Sequence, residues 1–150
     1  MSVENKALAR RVRMDIWDRG KLSVIDEVYA NDCIHHISDP ITPDFGRGGK
    51  AAKQIVTLYR SAFPDTHMTI DDILADGDTV MVRWTARGTH KGALLSLSPT
   101  SKQVTVQGVD IYRISAGKIK ETWVCWDALG FLQQLGVVPA LGQAKAQAGE

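Results

Sequence analysis

GKIKETWVCWDALGFLQQLG, residues 117–136, is the stretch that decides the fold. Gly117 closes a turn after Ile114, Ser115 and Ala116. Beyond it the side chains alternate as in a strand. Ile119, Glu121, Trp123 and Cys125 share one face, and Lys118, Lys120, Thr122 and Val124 the other. At Asp127 the period lengthens. Leu129, Phe131, Leu132 and Leu135 fit a short helix with Gly136 past its end. Asp127 thus stands where a strand passes into a helix, with Trp123 and Trp126 close by. Aspartate is a common helix N-cap. A carboxylate at the apolar end of a strand must also be solvated, paired or protonated. That makes Asp127 the first candidate for acid–base chemistry, a role compatible with capping.

The chain has 150 residues, 44% of them hydrophobic and 23% charged, which suits one domain over residues 1–150 with a sizeable core. The net charge of +1 carries no footprint for nucleic acid or an anionic membrane. Arg10, Arg11 and Arg13 form the one tight basic cluster and read as the solvated face of an amphipathic helix. Cys33 and Cys125 make no CxxC pair and lie near no matched ligand set, so neither a disulfide framework nor a zinc site is expected. No signal-peptide run and no stretch of 18 apolar residues occurs, so the expected location is cytoplasmic. The tail, residues 140–150, is small and polar and is expected to be loose.

Upstream of the opening stretch, residues 4–19 read as a helix with Leu8, Val12 and Ile16 on its apolar stripe, ended by Gly20. Ser23 caps a second helix carrying Val24, Ile25, Val28 and Tyr29. Residues 33–37 read as a short extended piece, and residues 38–49 as a loop rich in Pro and Gly. A third helix, residues 49–63, buries Ala52, Ile55, Val56, Tyr59 and Ala62 and stops at Pro64. Strands follow at 67–75, 79–89, 102–114 and 117–126, with Asp76-Gly77 as a tight hairpin. On the second of these, Val80, Val82, Trp84 and Ala86 share a face. Helices segregated from antiparallel strands indicate α+β, a curved sheet with helices over one face of a cone. The mouth of such a cone suits a small apolar ligand.

Several motifs in order carry a resemblance: Phe63-Pro64-Asp65, Gly77-Asp78-Thr79-Val80, residues 84–90 (WTARGTH), Pro99-Thr100, Gly117-Lys118-Ile119 with Glu121, Trp123 and Asp127, and residues 133–136 (QQLG). Over residues 5–139 the sequence resembles the SnoaL-like polyketide cyclases, or ester cyclases, of the nuclear transport factor 2-like superfamily. The resemblance implies a cone-shaped α+β barrel and a homo-oligomer, a dimer or tetramer with sheets packed across subunits. It also implies ring closure by intramolecular aldol condensation with no metal and no cofactor. The acid/base aspartate of the family matches Asp127, and its assisting histidines match His36 and His90. Family members often carry Pro-Thr-Gly after the last of these, where Ser101 here replaces the glycine.

An aldol closure needs a proton taken from a carbon alpha to a carbonyl and one delivered to an alkoxide, and a single carboxyl of raised pKa against apolar walls can shuttle both. Trp123, Trp126 and Trp84 are candidate walls, and His36, His90 and Gln107 candidate oxyanion donors. Asp110 shares the parity of Val106 and Tyr112. It is a second acid if it points inward and a surface or subunit partner if outward. Glu121 is expected to face either the pocket or the interface. His35 and His36 cannot readily both face one ion, since adjacent strand residues point to opposite faces. Two further readings use the same cone. One is an epoxide hydrolase, for which relatives imply Arg83 or Arg87 between Asp110 and Asp127, or a ketosteroid isomerase in which an acid/base group moves a double bond. The other is a non-catalytic protein that binds a small ligand.

Overall fold

The computed structural model describes residues 2–142, so most of the tail expected to be loose lies outside the described residues. The first helix, α1 (Ser2–Arg11), runs on into a π-helical turn over Val12–Asp18, and α2 (Ser23–Val28) follows. Then come β1 (Tyr29–Ile37), α3 (Gly48–Ala62), β2 (His67–Asp76), β3 (Thr79–Thr89), β4 (Gln103–Ser115), β5 (Lys118–Trp126) and α4 (Ala128–Gln134). Among the described residues no helix is long and apolar enough to cross a membrane.

The sheet has five strands in the order β1-β5-β4-β3-β2. The four later strands are antiparallel as expected. The short piece before the first loop is a full strand that begins at Tyr29, and it adds in parallel to β5. Tyr29 had been expected to end α2. Its β conformation, φ −96° and ψ 137°, ends the helix there. Helices α1 and α3 pack on the concave face, and Ala9, Val12, Ile16, Val56, Val80, Val82, Tyr112 and Ile119 build the core between them.

One irregularity changes which side chains see that core. Arg113 pairs with Glu121 and Ile114 with Ile119, so Lys120 is an extra residue, a β-bulge. The bulge shifts the inward parity of β5 from odd to even. Ile119 is buried before it, while Thr122, Val124 and Trp126 face the concave side after it. Glu121, Trp123 and Cys125 are turned to the convex face. The single alternating register expected across residues 118–126 is therefore corrected at Lys120.

Arg13 is a second correction. It lies on the stripe of Ala9, Val12 and Ile16, one turn from each end, and is 4% exposed rather than solvated. Its neighbour Arg11 stays outside and pairs with Glu27 at 2.8 Å.

Ser101 adopts φ +61°, the left-handed region that glycine enters without penalty. The turn it makes lets its backbone N–H donate to the His90 carbonyl at 2.9 Å. Ser101→Gly should therefore raise stability by ~0.5–1 kcal/mol, read as a higher urea midpoint at unchanged slope.

Candidate active site

A cavity of about 130 Å³ opens between the concave face and the helices. Its walls are mostly apolar: Val56, Phe63, Met68, Val106, Val124 and Phe131 among them. Two polar clusters and His35 interrupt this lining, together with Thr66, Arg87 and Thr122.

The deeper cluster is centred on Asp110, which is fully buried. Arg13 Nε and Nη2 donate to its two oxygens, both at 2.7 Å, in a bidentate fork. Trp84 Nε1 donates to Oδ1 at 3.0 Å, and the Tyr112 hydroxyl donates to Oδ2. The Arg13 guanidinium also lies over the Trp84 ring, 4.0 Å from its centroid. Burial alone would lower the Arg13 pKa, but the adjoining carboxylate more than reverses this and holds it above its ordinary value. Burial, and after it the charge of Asp110, pushes the Tyr112 phenol well up, so Tyr112 is a donor here and not a base. Trp84 can lie flat because its strand neighbour is Gly108. A Cβ on Gly108 would stand 2.3 Å from the Trp84 ring.

The second cluster belongs to the loop after β1. Asp39 Oδ1 accepts from the backbone N–H groups of Ile41 and Thr42, and Oδ2 from Thr42 Oγ1 at 3.0 Å and Trp126 Nε1 at 2.9 Å. The Thr42 hydroxyl, spent on Asp39, accepts in turn from Tyr59 at 2.6 Å. Burial raises the Tyr59 phenol, so it stays protonated.

His35 stands between the clusters. Its Nε2 lies 2.9 Å from the Gly48 carbonyl, which can only accept, so Nε2 carries the hydrogen. Nδ1 is then the acceptor, with Thr122 Oγ1 at a long 3.3 Å. Burial lowers the pKa of this ring, so the neutral form prevails in the folded protein.

The residues expected from sequence are distributed differently. Asp127 is exposed, is not part of the cavity lining, and caps α4 by accepting from the Gly130 N–H at 2.9 Å. The dry shelter under two indoles expected for it is corrected: Trp123 is on the far face and Trp126 points to Asp39. His36 is also outside, 44% exposed, stacked on Trp123 and 2.7 Å from Glu121. His90 is fully buried but lies behind the cavity wall, stacked on Phe63. The Thr100 N–H donates to its Nδ1 at 3.1 Å, so its hydrogen is on Nε2, which finds no partner among the described residues. Gln107 is exposed on the outward parity of β4 and cannot reach the cavity. Trp84, Trp126 and Asp110 do line it. Arg83 is exposed, 3.9 Å from Asp71, while Arg87, exposed as well, lines the cavity without an ion pair to Asp110. The arginine that meets Asp110 is Arg13, so the aspartate–arginine–aspartate arrangement expected of Arg83 or Arg87 is not the one formed. Among the described residues no group of three or more His, Cys, Asp or Glu is placed to hold a metal ion.

Arg13, His35, Asp39, Tyr59 and Tyr112 were missed as site residues, though two left signals. Arg13 shares the apolar spacing of its helix. His35 alternates with Cys33 and Ile37, which places it and not His36 on the inner face.

Asp110→Asn keeps the shape but leaves the Arg13 charge buried and uncompensated. It should lose ~3–5 kcal/mol in urea unfolding, and the double change Arg13→Met with Asp110→Leu should recover most of that. His35 sets a pH dependence. Its folded pKa lies below the unfolded value, so its contribution is complete above about pH 6.5 and declines as pH falls from there toward the folded pKa. His35→Gln should flatten that part of the stability–pH curve.

The family model for SnoaL-like polyketide cyclases matches residues 7–135. Among solved structures, AclR, a proposed hydroxylase from Streptomyces galilaeus, superposes with a TM-score of 0.81 at 26% identity, over 99% of this chain and 91% of that one. A proposed polyketide cyclase from Acidithiobacillus ferrooxidans gives 0.77 at 29% identity, over 91% of this chain and 98% of that one. IdmH, a proposed polyketide cyclase from Streptomyces antibioticus, gives 0.71 at 27% identity, over 87% and 99%. No protein of curated function matches the chain. With the α+β cone, the five-stranded sheet and a match across the span from α1 to α4, the chain belongs to the SnoaL-like polyketide cyclase family, with the fold of the nuclear transport factor 2-like proteins.

Proposed function

We propose that this protein is a cofactor-independent enzyme that closes a ring in a small polyketide-type ester by intramolecular aldol condensation, with His35 as its acid–base group. The observation that carries this reading is which acceptor in the cavity is still loosely held. Asp110 and Asp39 each already accept four hydrogen bonds. A carboxylate so saturated must break bonds before it can take a proton. His35 Nδ1 faces one weak donor, and the ring is fixed from behind by Gly48.

In this mechanism Nδ1 takes the proton from a carbon flanked by carbonyls, which is already acidic. The enolate carbon attacks a ketone carbon of the same chain, forming the new C–C bond as that C=O becomes an alkoxide. The imidazolium then returns its proton to the alkoxide oxygen. No electrons are gained or lost overall. The Arg13–Asp110–Tyr112 cluster supplies oriented dipoles in a dry site for the charge that develops on oxygen. The walls exclude water, which would otherwise hydrate the enolate.

A second reading is favoured by the same saturation: with both cavity carboxylates fully bonded, the cone could serve as a carrier of a small apolar ligand. Turnover decides between them. Incubation with a cyclisable 1,3-dicarbonyl methyl ester, followed by NMR, should show ring closure that His35→Gln lowers about 10²-fold or more. Asp127→Asn, which retains a capping side chain, should keep turnover within a few-fold of the native rate. Binding without product over hours supports the carrier. Loss of turnover in Asp127→Asn with His35→Gln unaffected returns the acid–base role to Asp127.

A further inference from the structure

Tyr29, Tyr59 and Tyr112 all line the inner cavity, and two of the three give their hydroxyl hydrogens to the protein. Tyr59 donates to Thr42 Oγ1 at 2.6 Å, and Tyr112 donates to Asp110 Oδ2. The Tyr29 hydroxyl finds no acceptor among the described residues. Tyr29 is the first residue of β1, where the chain leaves α2 in an extended conformation. It is 8% exposed and packs among the core side chains. Its ring adjoins that of His35, with centroids 5.5 Å apart and planes tilted by 55°.

The depth of that hydroxyl follows from what acts on it. The charges of Asp110 and Arg13 are both felt at the Tyr29 phenol, and the phenol acts in return on Arg13 and Tyr112, which puts it beside the buried cluster at the cavity floor. Burial, and after it the charge of Asp110, pushes its pKa up, so the group stays a protonated donor. Asp110 has no room for a further donor, since four already occupy its oxygens. Among the described residues His90 Nε2 is the side-chain atom that is both sealed off and unpartnered. The Tyr29 hydroxyl is unpartnered but not sealed, and the surface it keeps belongs to the hollow it lines. A donor held in a dry wall without an acceptor is costly. A ligand oxygen that accepts from it removes that cost, and the bond strengthens as negative charge grows on the oxygen.

We infer that the Tyr29 hydroxyl is the oxyanion donor of this cavity, holding the carbonyl oxygen next to the carbon from which His35 Nδ1 takes its proton. This inference rests on the reading of the cavity as a ligand site. The hydrogen stays on the phenol throughout: the C=O becomes an enolate C–O⁻ while the hydrogen bond to it shortens, and the one proton that moves goes from carbon to His35. The ligand class is a small flat ketone or 1,3-dicarbonyl that enters with an oxygen toward the floor. Because the two rings adjoin, the bound oxygen also selects which carbon is deprotonated, namely the one alpha to it.

The test compares two probes of the same shape: acetophenone, which has the acceptor oxygen, and α-methylstyrene, in which a CH₂ replaces it. Calorimetry on the native protein and on Tyr29→Phe gives a thermodynamic cycle, and the affinity ratio of acetophenone to α-methylstyrene should fall about tenfold in the variant, one net hydrogen bond. Independently of any variant, the carbonyl carbon of labelled acetophenone bound to the native protein should resonate well downfield of its position in cyclohexane. With the cyclisable ester of the turnover assay, Tyr29→Phe should lower kcat about 10²-fold with KM within a few-fold. Its urea midpoint should equal or exceed the native one, since the hydroxyl has no partner in the fold to lose. An unchanged affinity ratio, a carbonyl resonance at its cyclohexane position, native kcat in Tyr29→Phe, or a clearly lowered urea midpoint overturns the assignment while leaving the cavity reading intact. The two binding measurements need no turnover, so they decide the donor for an enzyme and for a carrier alike. If neither probe binds the native protein, the cavity reading falls and this inference with it.

Discussion

The buried fork between Arg13 and Asp110 is the constraint from which the rest of the molecule follows. Two full charges removed from water are tolerable only when each finds its partner in good geometry, with the remaining lone pairs also filled. Here Arg13 supplies two bonds, and Trp84 and Tyr112 supply the others. The pair ties the π-helical turn of the first helix to the centre of the sheet. It fixes the helix's rotation, because any other rotation leaves a charge buried alone. It also fixes Trp84, whose ring is held between the guanidinium and the carboxylate it serves. A π-helical turn at this point fits the general occurrence of such turns where a helix is adapted to a site.

The cavity is the space this arrangement leaves. Side chains bonded to one another at its floor cannot collapse inward, and the aromatic wall of Tyr59, Trp126, Phe131 and Phe63 is braced by successive ring contacts. The polar groups have been sorted by saturation. Carboxylates at the floor and the loop each have their oxygens occupied, and the His35 imidazole is held less firmly. The same logic makes the loop after β1 informative. Asp39 spends its oxygens on its own turn and on Trp126, so the loop and the end of β5 are held together by side chains where the sheet has run out.

Family membership and function are separate statements here. Sequence motifs and superposition establish the first, and the fold by itself hosts many chemistries. What can be said about reaction comes from which groups share the cavity and which of them have capacity for a proton. On that basis the exposed capping aspartate at the end of β5 and the half-exposed His36 stand apart from the hollow, and His35 stands in it.

Much of the architecture was determined by the sequence alone. Periodicity placed three helices and the four antiparallel strands nearly to the residue, because apolar spacing and Gly or Pro punctuation are local properties. Asp127 was readable as a cap for the same reason, as was the opposition of His35 and His36. The sequence could not give the depth of the site. One extra residue at Lys120 turned every later side chain of β5 over, since strand parity is a running count that a bulge resets. Arg13 and Asp110 are 97 positions apart; Arg13 reads locally as a surface charge, and the parity of Asp110 leaves both faces open. Only the packed tertiary structure, by removing water from both at once, makes them a single buried unit and decides which face of the sheet encloses the cavity.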